Sequence, residues 1–436
     1  MNKILRFLRD AEQALMTDAA VAVQDALDGA DSWRLFGNAH LPNFYNSRAI
    51  LPQGQSPDQL AGWLSRQHPR YSMSSWCFYG SLIDDAGRTA AVSTMFQFQQ
   101  LPKNPPYVAE WSYCDDGTDG YVVAPFRVTE ANVAYSTPFA VTVDANPVNS
   151  GLIALSLDSG RMGERGARYR MTGRTVTLSN DAWEYELLLR DSFGCIQVGY
   201  GPSSFMPQWI THEQRKEIES SFGGSVRAYL ESGRDDMFAQ GSYYYSLPLL
   251  AVDRFSISRN GSPYSSGARG HVWADYVVQG FDQAGLGIVG TATWQFFAIQ
   301  FPEFSDRPGY RAALVVSIVT VKLPAGDQSE LKLARFYDTE GSQNENGSVG
   351  PTYEWTINQI DFKPRERWKG FPVEAEISLR AAEATITLVA TAVRENQVVL
   401  PQVVDKYEGV FDVRADLSVR GIHAHDVRGF GWGEVH

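Results

Sequence analysis

The chain has 436 residues, with 38 Lys plus Arg against 50 Asp plus Glu and a formal net charge of -12. That length exceeds what one compact core normally organises, so two packed domains are expected; the acidic balance repels polyanions and withholds the counterion-release drive for binding DNA or RNA. A hydrophobic share of 44% with 11 Trp, 20 Tyr and 23 Phe excludes wholesale disorder.

At the start of the chain, Ile4, Leu5, Leu8, Ala11 and Leu15 recur at helical spacing. Lys3, Arg6, Arg9, Asp10 and Glu12 interrupt the apolar residues, which a signal peptide would keep continuous. Ser56-Pro57-Asp58 caps a second helical stretch, QLAGWLSRQ. Residues 1–70 therefore read as a helical N-terminal extension. From Tyr71 the period changes to two, as in RTAAVSTMFQFQQ (88–100), and turn signals such as Asp84-Asp85-Ala86-Gly87 intervene. The same alternation runs through 167–180, 182–191, 291–301, 313–323, 371–380 and 384–393, with no regular strand-helix alternation. Thr211-His212-Glu213-Gln214 has the order of a capping box and predicts a helix near 211–232. It closes a first domain, 71–232; GSYYYSLPLL (241–250) then opens a second, 233–436. Residues 340–351 are polar and Gly-rich and read as an exposed loop.

No run approaches the roughly 18 to 20 apolar residues of a membrane span, so no integral membrane segment is expected. Cys77, Cys114 and Cys195 are odd in number and widely spaced, which supports neither a disulfide framework nor a zinc site and fits a reducing, cytoplasmic compartment. GxxxxGK[ST], GxGxxG opening a helix, GxSxG and HExxH are absent, so no cofactor is expected. His423 and His425 read as a solvated strand end, and Asp84-Asp85 and Asp115-Asp116 as turns; neither a metal site nor a carboxylate dyad is assigned to them.

The informative feature is a set of aromatic strands with single polar residues. Trp76, Phe78 and Gly80 alternate with Cys77, Tyr79 and Ser81; Trp111 and Tyr113 share a face; Trp294, Phe296, Ala298 and Gln300 share another. In GHVWADYVVQGF (270–281), Trp273 and Asp275 share one face and Tyr276 takes the other. Such strands closed into a barrel enclose an aromatic hollow with a few hydrogen-bonding groups, suited to a hydrophobic small molecule; packing of the same rings into plain cores is the competing reading. A carboxylate among Trp and Tyr is costly unless paired or functional, which singles out Asp275.

SSWCFYGSLIDDAGRTAAVSTMFQFQ, GSYYYSLPLL, HVWADY, TWQFFAIQF, KYEGVFDVRADLSVRG and RGFGWGEVH occur in this order. Together they resemble the lipocalin-like carotenoid 1,2-hydratase (hydroxyneurosporene synthase) superfamily, which includes AttH-like proteins and fungal decalin-forming Diels-Alderases. The resemblance covers the chain from about Tyr71 onward. It implies an all-β fold of two consecutive lipocalin-like antiparallel β-barrel domains. The helical extension, which the resemblance does not cover and which mixes acidic and basic residues, reads as a cap over a barrel mouth or a homodimer contact. The resemblance also implies cofactor-free chemistry on polyene, terpenoid or polyketide substrates. Where the family pattern has W-x-D-H, this chain keeps Trp273 and Asp275 and carries Tyr276 for the His; the second Trp of W-x-W-F is Phe296. Tyr, with a reference pKa near ~10, relays protons poorly at neutral pH, so a substrate other than a carotenoid is expected. The leading expectation is a cyclase or isomerase with Asp275 and Tyr276 catalytic and Trp76, Phe78, Trp111, Tyr113, Tyr245, Trp273, Trp294 and Phe296 binding substrate. Acid-catalysed hydration of an alkene and passive carriage of an apolar metabolite are the alternatives.

Overall fold

The structure, a computed structural model, describes residues 73–99, 107–118, 122–128, 133–136, 140–144, 151–177, 180–198, 242–279, 291–322, 328–341, 349–356, 359–399 and 406–435. The expected helices within 1–70 and 211–232, and most of the 340–351 loop, lie outside these residues.

The described residues form two antiparallel sheets. The first sheet begins with β1 (Met73–Ile83), β2 (Thr89–Gln99), β3 (Tyr107–Cys114) and β4 (Val122–Val128). It continues with β5 (Val133–Ser136), β6 (Ala140–Asp144), β7 (Leu152–Ser159), β8 (Arg168–Val176), β9 (Ala182–Asp191) and β10 (Ile196–Gln197). It ends with β11 (Ser242–Arg259), β12 (Ser262–Gly267) and β13 (Arg269–Gln279). The second sheet comprises β14 (Thr291–Phe301), β15 (Ala312–Lys322), β16 (Gln328–Asp338), β17 (Tyr353–Thr356) and β18 (Ile360–Trp368). β19 (Phe371–Ala381), β20 (Ala384–Ala392), β21 (Val398–Val399), β22 (Lys406–Val419) and β23 (Ile422–Val435) complete it.

Both sheets follow one path. The first runs β4-β3-β2-β1-β13-β11-β9-β8-β7-β6-β5, so the last long strand seals against the first while consecutive strands β4 and β5 hold opposite edges. In a flat sheet those edges would lie ten spacings of about 4.8 Å apart, near 48 Å. The four residues from 129 to 132 reach at most about 19 Å, so the sheet must roll up. The second sheet, β17-β16-β15-β14-β23-β22-β20-β19-β18, repeats the arrangement with β17 and β18 as edges, and β16 meets β18 across its seam. This is the sequential meander of a lipocalin-like barrel.

Ring contacts inside the first barrel confirm the curl. Trp111 on β3 and Tyr185 on β9, five strands apart in the sheet, stack with centroids 4.9 Å apart and planes at 9°. Gly173, in register with Tyr185, makes this fit: a Cβ there would lie 2.3 Å from the phenol ring. The hairpins close on positive-φ pairs such as Asn260-Gly261 (51° and 75°) and Arg420-Gly421 (47° and 77°), the geometry that matches strand twist. Pro248, which cannot donate to a ladder, falls where the β11 to β13 register shifts between Leu247 and Leu250.

The sheets divide the chain between Gln279 and Thr291. This differs from the expected boundary at 232/233: strands β11 to β13, assigned from sequence to the second domain, belong to the first sheet. β11 pairs with β9 and β13 pairs with β1. A predicted helix was a local signal, whereas these pairings link residues far apart in the chain.

Candidate functional site

Each barrel has an apolar interior. In the first, Trp76, Phe78, Trp111, Tyr113, Trp183, Tyr185, Tyr245 and Tyr276 belong to one core with Val, Leu and Ile neighbours. In the second, Phe297, Phe336, Trp355 and Phe411 do the same. Strand alternation then sends the intervening residues outward, where they should meet water. They do not: Cys77, Tyr79, Ser81, Ser246, Trp273 and Asp275 on the first barrel are buried, as are Phe296, Ala298, Gln300, Glu408 and Trp432 on the second. The outer faces of β1 and β11 contact β22, β23 and β14, so these residues lie between the barrels. The rings of Tyr79 and Trp432 stack across the junction, centroids 3.8 Å apart. Arg394 of the second barrel pairs with Asp116 of the first, and Val349 N donates to Cys195 O at 2.7 Å.

The charge on this hidden face is organised. Asp275, 3% exposed, accepts hydrogen bonds on Oδ1 from Ser246 Oγ and Trp273 Nε1, each at 2.5 Å. Trp273 shares its face by the two-residue period of β13, and Ser246 stands opposite Asp275 on β11. Cys77 is the register partner of Asp275 on β1. On the second barrel, Glu408 and Glu434 are direct cross-strand partners on β22 and β23. Burial pushes the Tyr79 phenol well above its ordinary pKa, and Cys77, Glu408 and Glu434 add negative potential in the same direction. Polar and acidic groups are thus gathered between the barrels, walled by Trp273, Tyr79, Trp432 and Phe296. A buried carboxyl held by two donors in an aromatic wall is suited to moving a proton to or from an apolar substrate.

The residues singled out from sequence divide into two places. Asp275, Trp273 and Phe296 lie between the barrels, whereas Tyr276, Trp76, Phe78, Trp111, Tyr113 and Tyr245 face the interior of the first barrel. The ring of Tyr276 stacks on that of Trp76 with centroids 4.4 Å apart. The expectation that Asp275 and Tyr276 act as one catalytic pair is therefore corrected: adjacent strand residues point to opposite faces, and no bulge at 275–276 brings them together. Trp294 falls on β14, and its side chain lies outside the described residues. His423 bonds Ser418 at 3.0 Å, and among the described residues no group of three metal-ligating side chains is gathered.

No known family profile and no curated protein sequence matches the chain. Among solved structures, a putative AttH from Nitrosomonas europaea superposes with a TM-score of 0.55 at 14% identity, over 88% of this chain and 98% of that one. The chain has the AttH-like fold. Kievitone hydratase from Nectria haematococca (TM-score 0.44, 14% identity, 85% of this chain and 91% of that one) is more distant. So is CghA with Sch210972 (0.37, 12%, 84% and 88%).

Within this AttH-like frame, the sequence pattern does not single out Ser246, Tyr79, Trp432, Glu408 or Glu434 as site residues. A signal existed for Tyr79 and Ser246, which occupy outward positions of strands whose inward positions are large and apolar, whereas Trp432 and Glu434 alternate with inward glycines. Outward Trp and acidic residues on both barrels imply a covered face, but which barrel face covers which is decided by packing that alternation does not encode.

Proposed function

We propose that the chain is a cofactor-independent enzyme, a cyclase or isomerase acting on a hydrophobic polyene, terpenoid or polyketide bound at the face between its barrels. The observation that carries this reading is Asp275, buried on an aromatic face and fixed by Trp273 and Ser246. Both of these bonds end on Oδ1. Asp275 passes a proton to or from the substrate, and the rings of Trp273, Tyr79, Trp432 and Phe296 hold the chain bent and favour positive charge near their faces. Holding reacting atoms in a near-attack pose supplies up to about 7 to 11 kcal/mol without further ionising groups. The three thiols are buried and unbridged, which fits a reducing compartment such as the cytoplasm.

Hydration of an alkene is the second reading. It is favoured by the density of buried carboxyl and hydroxyl groups on the same face, Asp275, Ser246, Ser81 and Glu408, among which a water molecule finds several partners. Incubation of the purified protein with linear polyenes, followed by mass spectrometry and NMR of the products, separates the readings. An isobaric product supports the cyclase or isomerase, a gain of water supports the hydratase, and unchanged ligand marks a carrier. Asp275→Asn should lower turnover by about 10² to 10⁴; undiminished turnover in that variant would remove Asp275 from the chemistry.

A further inference from the structure

One register row on the outer face of the first barrel reads Arg168, Arg190, Ala251, His271 and Ser81 across β8, β9, β11, β13 and β1. Ala251 is the small residue of the row, so Arg190 and His271 flank a notch about 10 Å wide between strand positions. Among the described residues, His271 Nδ1 is buried and has no hydrogen-bond partner, and its ring lies over Phe430 of the second barrel, centroids 5.5 Å apart. Arg311, at the entry to β15, faces this row from the second barrel and feels the charges of both Arg165 and Arg190. Its Nη1 donates to Gly309 O at 3.3 Å, and among the described residues neither Arg311 nor Arg165 forms an ion pair.

Among the described residues, one carboxylate pairs directly with these arginines. Asp253 reaches Arg190 at 3.1 Å and Arg168 at 3.5 Å. Glu303 acts on Arg311 only through space, and Asp191 lies buried within the field of Arg165. Arg311 thus stands within the field of Arg165 and Arg190 where the two barrels meet. Like charges so placed repel unless an anion joins them, and the planar guanidinium fork matches carboxylate and phosphate oxygens. A cleft of about 510 Å³, lined by Arg311 and Arg428 together with Glu303, Asp306 and Asp426, opens beside the cluster.

We propose that Arg165, Arg190, Arg311 and His271 form an oxyanion-binding site at the junction of the barrels, and that it takes the carboxylate or phosphate head of an apolar substrate. The second half rests on the functional reading above; the anion site itself does not. His271, Trp273 and Asp275 share one face of β13, so a head at His271 stands about 13 Å from the Asp275 carboxyl. Burial and the Arg311 charge push the His271 pKa down to about 4, so the ring is neutral at physiological pH and donates to an anion in its Nδ1–H tautomer.

Calorimetric titration of the wild type at low ionic strength with pyrophosphate, decanoate and acetate tests the site without requiring turnover. Pyrophosphate and decanoate should bind, decanoate more tightly than acetate. Arg311→Gln, and independently the exposed-loop variant Arg165→Gln, should weaken both by about tenfold each with unchanged melting temperature. Pyrophosphate should also move the His271 imidazole titration, followed by NMR, to higher pH. Absence of pyrophosphate and decanoate binding, or equal binding by folded Arg311→Gln, would overturn the site. Binding of pyrophosphate alone would overturn the assignment to a substrate head group. Failure to find an enzymatic product would leave these binding results standing and count only against the function.

Discussion

Asp191 illustrates how one buried atom sets a pH dependence. Its Oδ1 accepts from Phe193 N at 2.9 Å and Gly194 N at 2.7 Å, while its buried Oδ2 has no partner among the described residues. Burial raises its pKa to about 6, against the lowering effects of those two amides and Arg165. The unfolded chain titrates this group near ~3.9, so between about pH 4 and 6 the native state holds a proton that the unfolded state has released. Stability from this group is therefore complete below about pH 4 and is lost as pH rises through about 6, a penalty of about 3 kcal/mol above that window. Asp191→Asn keeps the Oδ1 acceptor and removes the charge. The variant should melt above the wild type at about pH 8, and the difference should close by about pH 4; thermal melts across that range check it, and parallel curves would show that Asp191 does not titrate in the fold.

At the scale of the element, β13 presents two unlike faces to two unlike environments. Val272, Ala274 and Tyr276 enter the core of the first barrel, while His271, Trp273 and Asp275 turn toward the second. The strand therefore offers an internal control. Trp273→Phe keeps a ring and deletes the N–H that reaches Asp275, a bond to a charge-bearing group worth about 1.5 to 3 kcal/mol, so turnover should fall by about 10 to 100-fold. Tyr276→Phe, one residue along, should leave turnover within about twofold, because its ring stacks on Trp76 behind the sheet. Steady-state kinetics of the two variants decide it; a larger loss in Tyr276→Phe would place the chemistry inside the barrel. The alternation that creates these faces was legible in the sequence, since period two is a local property: the expected strand at 291–301 is β14, and Trp273 and Asp275 do share a side. Sheet membership was not legible, because pairing β13 with β1 joins residues about two hundred apart, and no local pattern in GHVWADY records that partner.

For the whole molecule, the consequence is that neither barrel is complete alone. Removing the second would expose Cys77, Tyr79, Trp273 and the Asp275 carboxyl; removing the first would expose Phe296, Ala298, Trp432 and Glu408. The two cores are separate, yet the contacts that join them are of interior quality: the Tyr79 and Trp432 rings stack, Arg394 meets Asp116, and Ile196 bridges to Val349. Exposing such a face costs more than most single core substitutions, so the barrels should unfold together in one transition despite having two cores. Trp432→Ala tests this coupling, because it removes a ring that belongs to neither core. It should cost about 3 to 5 kcal/mol, the range for truncating a buried Trp. It should also split the denaturation curve into two steps as the barrels part. Far-ultraviolet circular dichroism and tryptophan fluorescence should coincide in the wild type and separate in the variant. Two steps already present in the wild type would mean that the face between the barrels holds them side by side without making them one folding unit, and a site built across it would then open and close as they move.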